Sequence, residues 1–336
     1  MMNDLLNIKT LGLCLCIGFV SLSLKAKTPH LDSIPSPRAS LLALYDLYED
    51  CDVCGCGSSG GGMGYGTLGN ANFVGVRYIN QQYRSRDGIY NNSPWIDEHF
   101  NTLQVWGQIP LGKRVAVNAI VPFHLHNREL VDGSTQNING LGDINILVSY
   151  AVVQPREIPF VQDVSPFKHS LSIGVGLKLP TGSYNRANNV GSVNPSFQLG
   201  TGSWDFMLAS NYTLNYQQWG LGVLANYVFK TENNQQYEFG DQINYGINLF
   251  RTFEDMQMRS YSPVVGVAGE VFGENQSYGI AVQDTAGHVL FGKVGFEADL
   301  WKFNTGINVM LPITQNLNDG NVEAKSRIGL HFNYKL

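Results

Sequence analysis

The stretch Phe303–Leu311 reads FNTGINVML and alternates apolar and polar side chains with a period of two. In an extended chain, Phe303 and Ile307 fall on one face, whereas Asn304 and Asn308 fall on the other. Alternation of this kind over nine residues predicts a β-strand with one apolar and one polar face.

The same alternation recurs from Asn72 to the last residue. We count twelve such segments of about 9 to 13 residues, which is longer than the usual strand of about 5 to 6 residues. The sequence therefore predicts an all-β fold of about twelve antiparallel strands over residues 70–336. The segments start near Asn72, Thr102, Lys113, Asp143, His169, Trp204, Leu221, Ile243, Val265, Ala286, Phe303 and Ile328.

Alternation alone also fits a soluble β-sandwich or a soluble barrel. Three features favour a closed antiparallel transmembrane β-barrel instead. The segments are long enough to cross a bilayer as tilted strands, their second faces carry Asn, Gln, Ser and charges, which suit a wet lumen, and aromatic residues stand near the ends of their apolar faces. These aromatic residues are Trp204, Tyr212, Tyr216, Tyr227 and Tyr334.

The composition argues against two classes of function, nucleic-acid binding and catalysis. Only 15% of the 336 residues are charged, against about 25% in an average soluble domain. The net charge of −5 gives no support to nucleic-acid binding, and the sequence has no basic stripe. No Gly-x-Ser-x-Gly motif occurs, and the histidines are scattered, so we expect no catalytic residues and no enzyme activity.

The N-terminus predicts export. Lys9 precedes the apolar run Leu11–Leu24, which is short for a membrane helix, and Ala26 supplies a small residue before a cleavage point at Lys27. We therefore interpret residues 1–26 as a signal peptide, with a single anchoring helix as the alternative. Export and a barrel together predict the outer membrane of a Gram-negative bacterium.

Residues 27–69 form a separate Cys/Gly-rich segment. Apolar residues at helical spacing over Ala39–Tyr48 predict a short helix, and Gly57–Gly66 predicts a flexible linker or an irregular plug. Between them lie Cys51, Cys54 and Cys56, whose thiolates suit a soft metal ion, copper or zinc. A disulfide with one free thiol and a Cys-x-x-Cys redox pair remain alternatives.

The polar faces of the segments predict the lumen lining. Its mixed charge argues against strong ion selectivity. His124 and His126 stand near the end of one segment, and we interpret them as loop or rim residues. The predicted lumen residues are Asn118, Asn145, Lys178, Asp205, Asn211, Asn226, Asn244, Glu270, Arg327 and Lys335.

Three short motifs carry a family resemblance: Gly140–Asp143 (GLGD), Gly176–Gly182 (GLKLPTG) and Leu199–Asp205 (LGTGSWD). Over residues 70–336 the chain resembles the outer-membrane family known as "putative MetA-pathway of phenol degradation". The resemblance implies a transporter-like barrel for small molecules, hydrophobic or aromatic ones included. The Cys-rich start also resembles barrels of Bacteroidetes type.

The residues of these motifs have a structural interpretation of their own. Pro180 ends strand pairing, and Gly182 permits a positive φ in the turn that follows. We therefore interpret these motifs as turns that shape the barrel rather than as a ligand site.

We expect an outer-membrane transporter or porin-like channel. Its partners would be outer-membrane lipid, small-molecule solutes and the barrel-assembly machinery. A structural or adhesive barrel without transport and an outer-membrane barrel enzyme are the alternatives.

Overall fold

The computed structural model describes residues 73–86, 93–154, 167–189 and 194–336. The predicted signal peptide and the Cys/Gly-rich segment with Cys51, Cys54 and Cys56 lie outside the described residues. Among the described residues, no helix has the length and apolar character needed to cross a membrane.

The described part of the chain is built of antiparallel strands and two short 3₁₀ turns, Arg186–Asn189 and Asn318–Gly320. The strands are β1 (Phe73–Ser85), β2 (Ile96–Pro110), β3 (Val115–Glu129), β4 (Thr135–Leu141), β5 (Ile144–Val153), β6 (Phe167–Leu179), β7 (Asp205–Tyr216), β8 (Trp219–Phe229), β9 (Tyr237–Glu238), β10 (Gln242–Arg251), β11 (Phe253–Glu254), β12 (Ser260–Phe272), β13 (Gln276–Ser277), β14 (Ile280–Ala281), β15 (Gly287–Leu300), β16 (Phe303–Leu317) and β17 (Val322–Lys335).

The long strands close into a barrel. β1 pairs with β2 on one side and with β17, the last strand, on the other, so that Phe73 stands opposite both Gln108 and Lys335. β10 and β12 close the remaining gap. β4 and β5 pair with successive parts of β3 and together occupy one position in the wall. The wall therefore has twelve strand positions, which confirms the predicted fold class and strand number.

Side-chain direction follows the predicted alternation. On β17, Leu330 and Phe332 are exposed on the outer surface, whereas His331 and Asn333 are buried inside the barrel. The outward apolar residues of this strand run from Ile328 to Leu336, a rise of about 26 Å along the strand. With the usual tilt of about 40°, this length covers about 20 Å of bilayer, close to the apolar band of outer-membrane barrels.

The two ends of the barrel differ in their connections. At the end that carries the chain terminus, β7 joins β8 through Gln217 and Gln218, and β15 joins β16 through Trp301 and Lys302. At the opposite end, residues 180–204 connect β6 to β7. Because outer-membrane barrels have short periplasmic turns and long outer loops, the long connections lie on the extracellular side.

The predicted aromatic residues at the strand ends differ in exposure. Trp204, Tyr216 and Tyr334 are exposed on the outer surface. Tyr227 is instead buried, because its ring packs against Phe229 and its hydroxyl donates a hydrogen bond of 2.8 Å to Asp241 Oδ2. Tyr227 therefore points outward from β8, like Phe229, but is covered by its neighbours at the extracellular end.

Candidate functional site

The interior of the barrel is polar and charged along its length. Of the ten predicted lumen residues, the structure buries eight inside the wall: Asn118, Asn145, Lys178, Asp205, Asn226, Asn244, Glu270 and Arg327. Asn211 is half-buried on the same face of β7 as the fully buried Thr213. Lys335 is half-buried at the periplasmic end, where it forms an ion pair with Asp299.

The buried charges of the described residues balance. Six are basic and six are acidic, and five ion pairs within 4 Å connect members of the two groups. A compensated interior gives no dominant field to attract one sign of ion. The basic residues are Arg77, Arg128, Lys178, Lys230, Lys293 and Arg327, and the acidic residues are Glu98, Asp143, Asp205, Glu270, Glu297 and Asp299.

One of these pairs bridges two strands that are not neighbours. Arg327 on β17 donates to both carboxylate oxygens of Glu270 on β12, at 2.7 and 3.2 Å, although β15 and β16 separate these strands in the wall. The guanidinium also donates to Tyr83 Oη at 2.6 Å and lies 4.4 Å from the ring centre of Phe291. The bridge therefore occupies lumen space.

A second group of charges lies at the extracellular ends of β5 to β8, and we call it the ionic cluster (Asp143, Lys178, Asp205 and Lys230). Lys178 Nζ lies 3.1 Å from Asp143 Oδ2 and 2.6 Å from Asp205 Oδ2. Lys230 Nζ lies 3.4 Å from Asp205 Oδ2. These side chains are almost completely buried, so each charge depends on its partners for stabilisation.

The ionic cluster brings together the three motifs of the sequence. Asp143 ends GLGD, Lys178 lies in GLKLPTG, and Asp205 ends LGTGSWD. Asp143 also holds the β6–β7 connection, because it accepts hydrogen bonds from the backbone N–H of Thr201 at 2.8 Å and of Gly182 at 2.9 Å. The motifs are therefore more than separate turns: they fix one long loop to the wall.

The expectation of a positive φ at Gly182 is wrong. Gly182 is absent from the glycines with positive φ among the described residues. The need for glycine comes from close packing, because a Cβ atom at Gly182 would lie 2.6 Å from the carbonyl oxygen of Leu199. The neighbouring Pro180 follows directly after the end of β6, as the sequence predicted.

Part of this loop, residues 194–201, lies inside the barrel, and we call it the plug segment. Side chains rather than strand pairing hold it there. Asn194 donates to Glu98 Oε2 at 2.6 Å. Within the same β6–β7 connection, the Gln198 amide exchanges hydrogen bonds of 2.8 and 2.9 Å with the backbone of Asn185, which fixes the shape of the loop. A cavity of about 40 Å³ remains beside it, lined by residues such as Tyr83 and Lys230, with space for about three water molecules.

Phe197 is the large apolar residue of the plug segment, with 0% of its surface exposed. The Arg128 guanidinium lies 4.3 Å from its ring centre. Phe100 packs against it edge-to-face at 6.0 Å, and His126 lies 6.5 Å away. We call Phe100, His126 and Arg128 the aromatic cage.

His124 and His126 are therefore not rim residues, and that interpretation is wrong. Both lie within β3 and point into the lumen, where their ring centres are 4.6 Å apart. They have this direction because they share the inward face of β3 with Arg128. His124 Nδ1 also lies 3.0 Å from the hydroxyl of Thr102 on β2.

The extracellular half of the lumen holds an apolar cluster that the sequence analysis did not predict. Inward side chains from seven strands pack together with Phe197, and Ile138 and Phe272 pack against them. The expectation of a uniformly polar lumen is therefore too simple, because this level is closed by apolar contacts. The cluster comprises Tyr83, Phe100, Phe197, Leu224, Ala268, Val289, Phe291, Met310, Leu317, Val322 and Ala324.

Within the described ranges, no three His, Cys, Asp or Glu side chains are arranged to hold a metal ion. The metal site at Cys51, Cys54 and Cys56 was predicted outside those ranges and stays a prediction.

The comparisons with known proteins place this architecture among outer-membrane barrels. An outer-membrane channel from Pseudomonas putida F1 is similar in structure, with a TM-score of 0.61 and 16% identity over 81% of this chain and 98% of that chain. The β-domain of the Bordetella autotransporter BrkA has a TM-score of 0.48 and 9% identity over 80% of this chain and 100% of that chain. No curated protein matches the sequence at a significant level.

The sequence itself matches one family over residues 95–277, more than half of the chain. This range contains all three motifs of the ionic cluster and the whole plug segment. The protein is an outer-membrane β-barrel, and it belongs to the family described as "putative MetA-pathway of phenol degradation".

Proposed function

We propose that the protein is an outer-membrane channel for small molecules and that the plug segment closes it in the state seen here. The observation that carries the proposal is Phe197, a fully buried loop residue that packs against inward apolar side chains of seven strands and so blocks the extracellular half of the lumen.

The chemistry of the contacts supports a closure that can open. Hydrogen bonds and ion pairs exchange readily with water, so withdrawal of the plug segment leaves its partners solvated rather than stranded. Withdrawal also removes the ring of Phe197 from the apolar cluster. An apolar constriction conducts only when water enters it, and the loss of this ring leaves space for water.

The same proposal assigns the partners. Apolar outward side chains contact outer-membrane lipid, and the polar interior accepts small solutes. The last strand, β17, reaches Lys335 with Phe332 and Tyr334 on its outer face, and we assign insertion to the barrel-assembly machinery. No catalytic role is proposed. Asp97 on β2 and His169 on β6, two side chains of types used in catalysis, are both exposed on the outer face, at opposite ends of the barrel.

A structural barrel is the second candidate, and one observation favours it: side chains fill the extracellular half of the lumen. Planar-bilayer conductance and swelling of solute-loaded liposomes separate the two candidates. The variant Asn194→Leu removes the hydrogen bond to Glu98 and should raise open probability and swelling rate severalfold over the wild type.

The matched control is Asn80→Leu, which removes a polar contact to Asn101 outside the lumen and should leave conductance unchanged. Impermeable wild-type and Asn194→Leu barrels, both correctly inserted, would establish the structural candidate instead.

A further inference from the structure

We propose that a basic patch on the outer surface of the barrel, at its extracellular end, binds lipopolysaccharide, the phosphorylated glycolipid of the outer leaflet. The basic patch comprises Arg84, Arg86, Trp95, Glu323 and Lys325. It faces the membrane rather than the lumen, so it adds a specific lipid partner to the proposed channel.

The cations of the basic patch point away from the lumen. Arg84 lies on the same face of β1 as the exposed Val76 and Tyr78. Arg86 follows two residues later and is half-buried. Lys325 lies on the outward face of β17, where its side chain is 41% exposed. All three cations are therefore accessible to a headgroup beside the wall.

The basic patch lies beyond the apolar band of the wall. Lys325 is three residues past Ile328, the last outward apolar residue of β17, which is about 8 Å along the membrane normal at the usual tilt. Arg84 is six residues past Tyr78 on β1, about 15 Å along the normal by the same estimate. Phospholipid headgroups add only about 5 to 8 Å to the hydrocarbon layer, so a taller sugar headgroup fits this height better.

Polar uncharged side chains occupy the level between the apolar band and the basic patch. Asn80 and Gln82 point outward from β1, and Asn80 donates to Asn101 Oδ1 on β2 at 2.8 Å. Ser326 stands opposite Gln82 on β17. Amide and hydroxyl groups both donate and accept hydrogen bonds, so this level suits the sugars that carry the phosphates.

The cations outnumber the carboxylate that holds them. Glu323 Oε2 accepts from Arg84 Nε at 2.8 Å and from Lys325 Nζ at 2.9 Å, so one carboxylate serves two cations. Arg86 donates through Nε to the amide oxygen of Asn321 at 3.1 Å, which is a neutral partner. The basic patch therefore keeps a net positive charge for an anionic headgroup.

Trp95 holds two of the cations side by side. The centre of its ring lies 4.5 Å from Arg84 Cζ and 4.9 Å from Arg86 Cζ. Cation–π contacts of this kind orient a guanidinium, and each guanidinium has five N–H donors, more than these contacts use. Two guanidiniums beside one ring can together bind a phosphate through paired N–H groups, and indole rings are enriched at membrane interfaces.

The rest of the extracellular end is acidic. Asp97 stands opposite Arg84 on β2, so the basic patch and its surroundings have three cations against two carboxylates. Elsewhere at this end, Arg186 is the one cation of the described residues that is not buried. A phosphorylated headgroup is therefore attracted to the basic patch and repelled from most of the rim. The exposed carboxylates of the rim are Glu129, Asp132, Glu232, Glu274, Asp284 and Asp319.

The test uses the full chain folded in detergent, with EDTA present so that no divalent cation bridges a carboxylate to the lipid. Native mass spectrometry measures the binding of short-core lipopolysaccharide, its dephosphorylated form and phosphatidylglycerol. We expect lipopolysaccharide to bind about tenfold more tightly than the dephosphorylated form and severalfold more tightly than phosphatidylglycerol. Equal affinity for all three lipids would overturn the proposal.

A triple variant tests the residues. Combined Arg84→Gln, Arg86→Gln and Lys325→Gln should lower the affinity for lipopolysaccharide about tenfold and abolish the preference for the phosphorylated form. An unchanged affinity of this variant would refute the basic patch.

The matched control removes three cations from exposed turns at the periplasmic end. Combined Lys113→Gln, Arg114→Gln and Lys302→Gln makes the same change in net charge and should bind lipopolysaccharide like the wild type. An equal loss of affinity in the control would show that total charge, and not the basic patch, attracts the lipid.

Two single variants keep the test valid if the triple variant does not fold, as judged by heat-modifiable migration on gels. Lys325→Gln changes one exposed side chain and should lower the affinity about threefold. Asp97→Asn removes a carboxylate next to the guanidiniums and should raise it. If Lys325→Gln binds like the wild type, or if Asp97→Asn binds more weakly, the basic patch does not bind the phosphates.

Discussion

Arg327 and Glu270 form a two-bond ion pair across strands that do not touch, with donor–acceptor distances of 2.7 and 3.2 Å. The pair lies inside the lumen at the level of the apolar cluster, next to Phe291. It keeps this level electrically neutral, and it narrows the space through which a solute passes.

Glu270→Gln should make the channel prefer anions. The substitution keeps the size of the side chain and leaves the positive charge of Arg327 uncompensated, so chloride is attracted to the lumen. Reversal potentials in a potassium chloride gradient measure the change, and Arg327→Met should shift them in the opposite direction. Lys325→Met, an exposed change on the same strand, should have no effect; equal reversal potentials for all variants would contradict the assignment.

Lys178→Met should weaken both the barrel and its closure. The substitution leaves Asp143 and Asp205 with less compensation in a buried place, and breaking a buried ion pair costs about 3–5 kcal/mol. Water that reaches the lumen reduces this cost, so the lower end of the range is expected. Thermal unfolding followed by gel migration measures it.

The matched control is Lys113→Met in the exposed turn between β2 and β3, which should unfold at the wild-type temperature. Because Asp143 also holds Thr201, conductance of Lys178→Met should rise together with the loss of stability. A fall in stability without any change in conductance would show that the ionic cluster does not hold the plug segment.

Gly200→Ala should release the plug segment through crowding. A Cβ atom at Gly200 would lie 2.6 Å from the carbonyl oxygen of Gly182 and would contact Asp143 Oδ1, so the loop has to move away from the wall. Increased conductance and protease sensitivity are the expected results. Gly222→Ala is the control, since a Cβ atom there meets no atom within 4 Å; similar behaviour of the two variants would refute the crowding argument.

The barrel could be predicted from the sequence because successive residues of a strand face lipid and lumen in turn, and the two surroundings require different side chains. Each strand must place apolar groups against lipid, and this requirement is local and repeats every two residues. The start of β5 near Asp143 was predicted, but the preceding strand β4 was not. At the break between these two strands, the ring of His124 on β3 occupies the space beside Gly142 where a Cβ atom would lie.

The contents of the lumen were less predictable than its wall. Met310 is an apolar residue on the otherwise polar inward face of β16, and Val289 and Phe291 are apolar residues on the inward face of β15. In the sequence of one strand, apolar residues at inward positions do not show which side chains they contact. The loop that carries Phe197 has no periodic pattern, so its position could not be predicted from the sequence. The closed barrel is what shows that these residues contact Phe197.

Val294→Arg should impair insertion into the membrane. Val294 is 58% exposed on the outer face of β15, near the middle of the strand, and an arginine at the centre of the lipid-facing surface costs about 2–4 kcal/mol. Unfolding in guanidinium after assembly in lipid vesicles measures this cost. The adjacent Lys293→Arg is the control, because position 293 points into the lumen and already carries a charge. If both variants assemble and unfold like the wild type, the apolar face of β15 does not contact lipid.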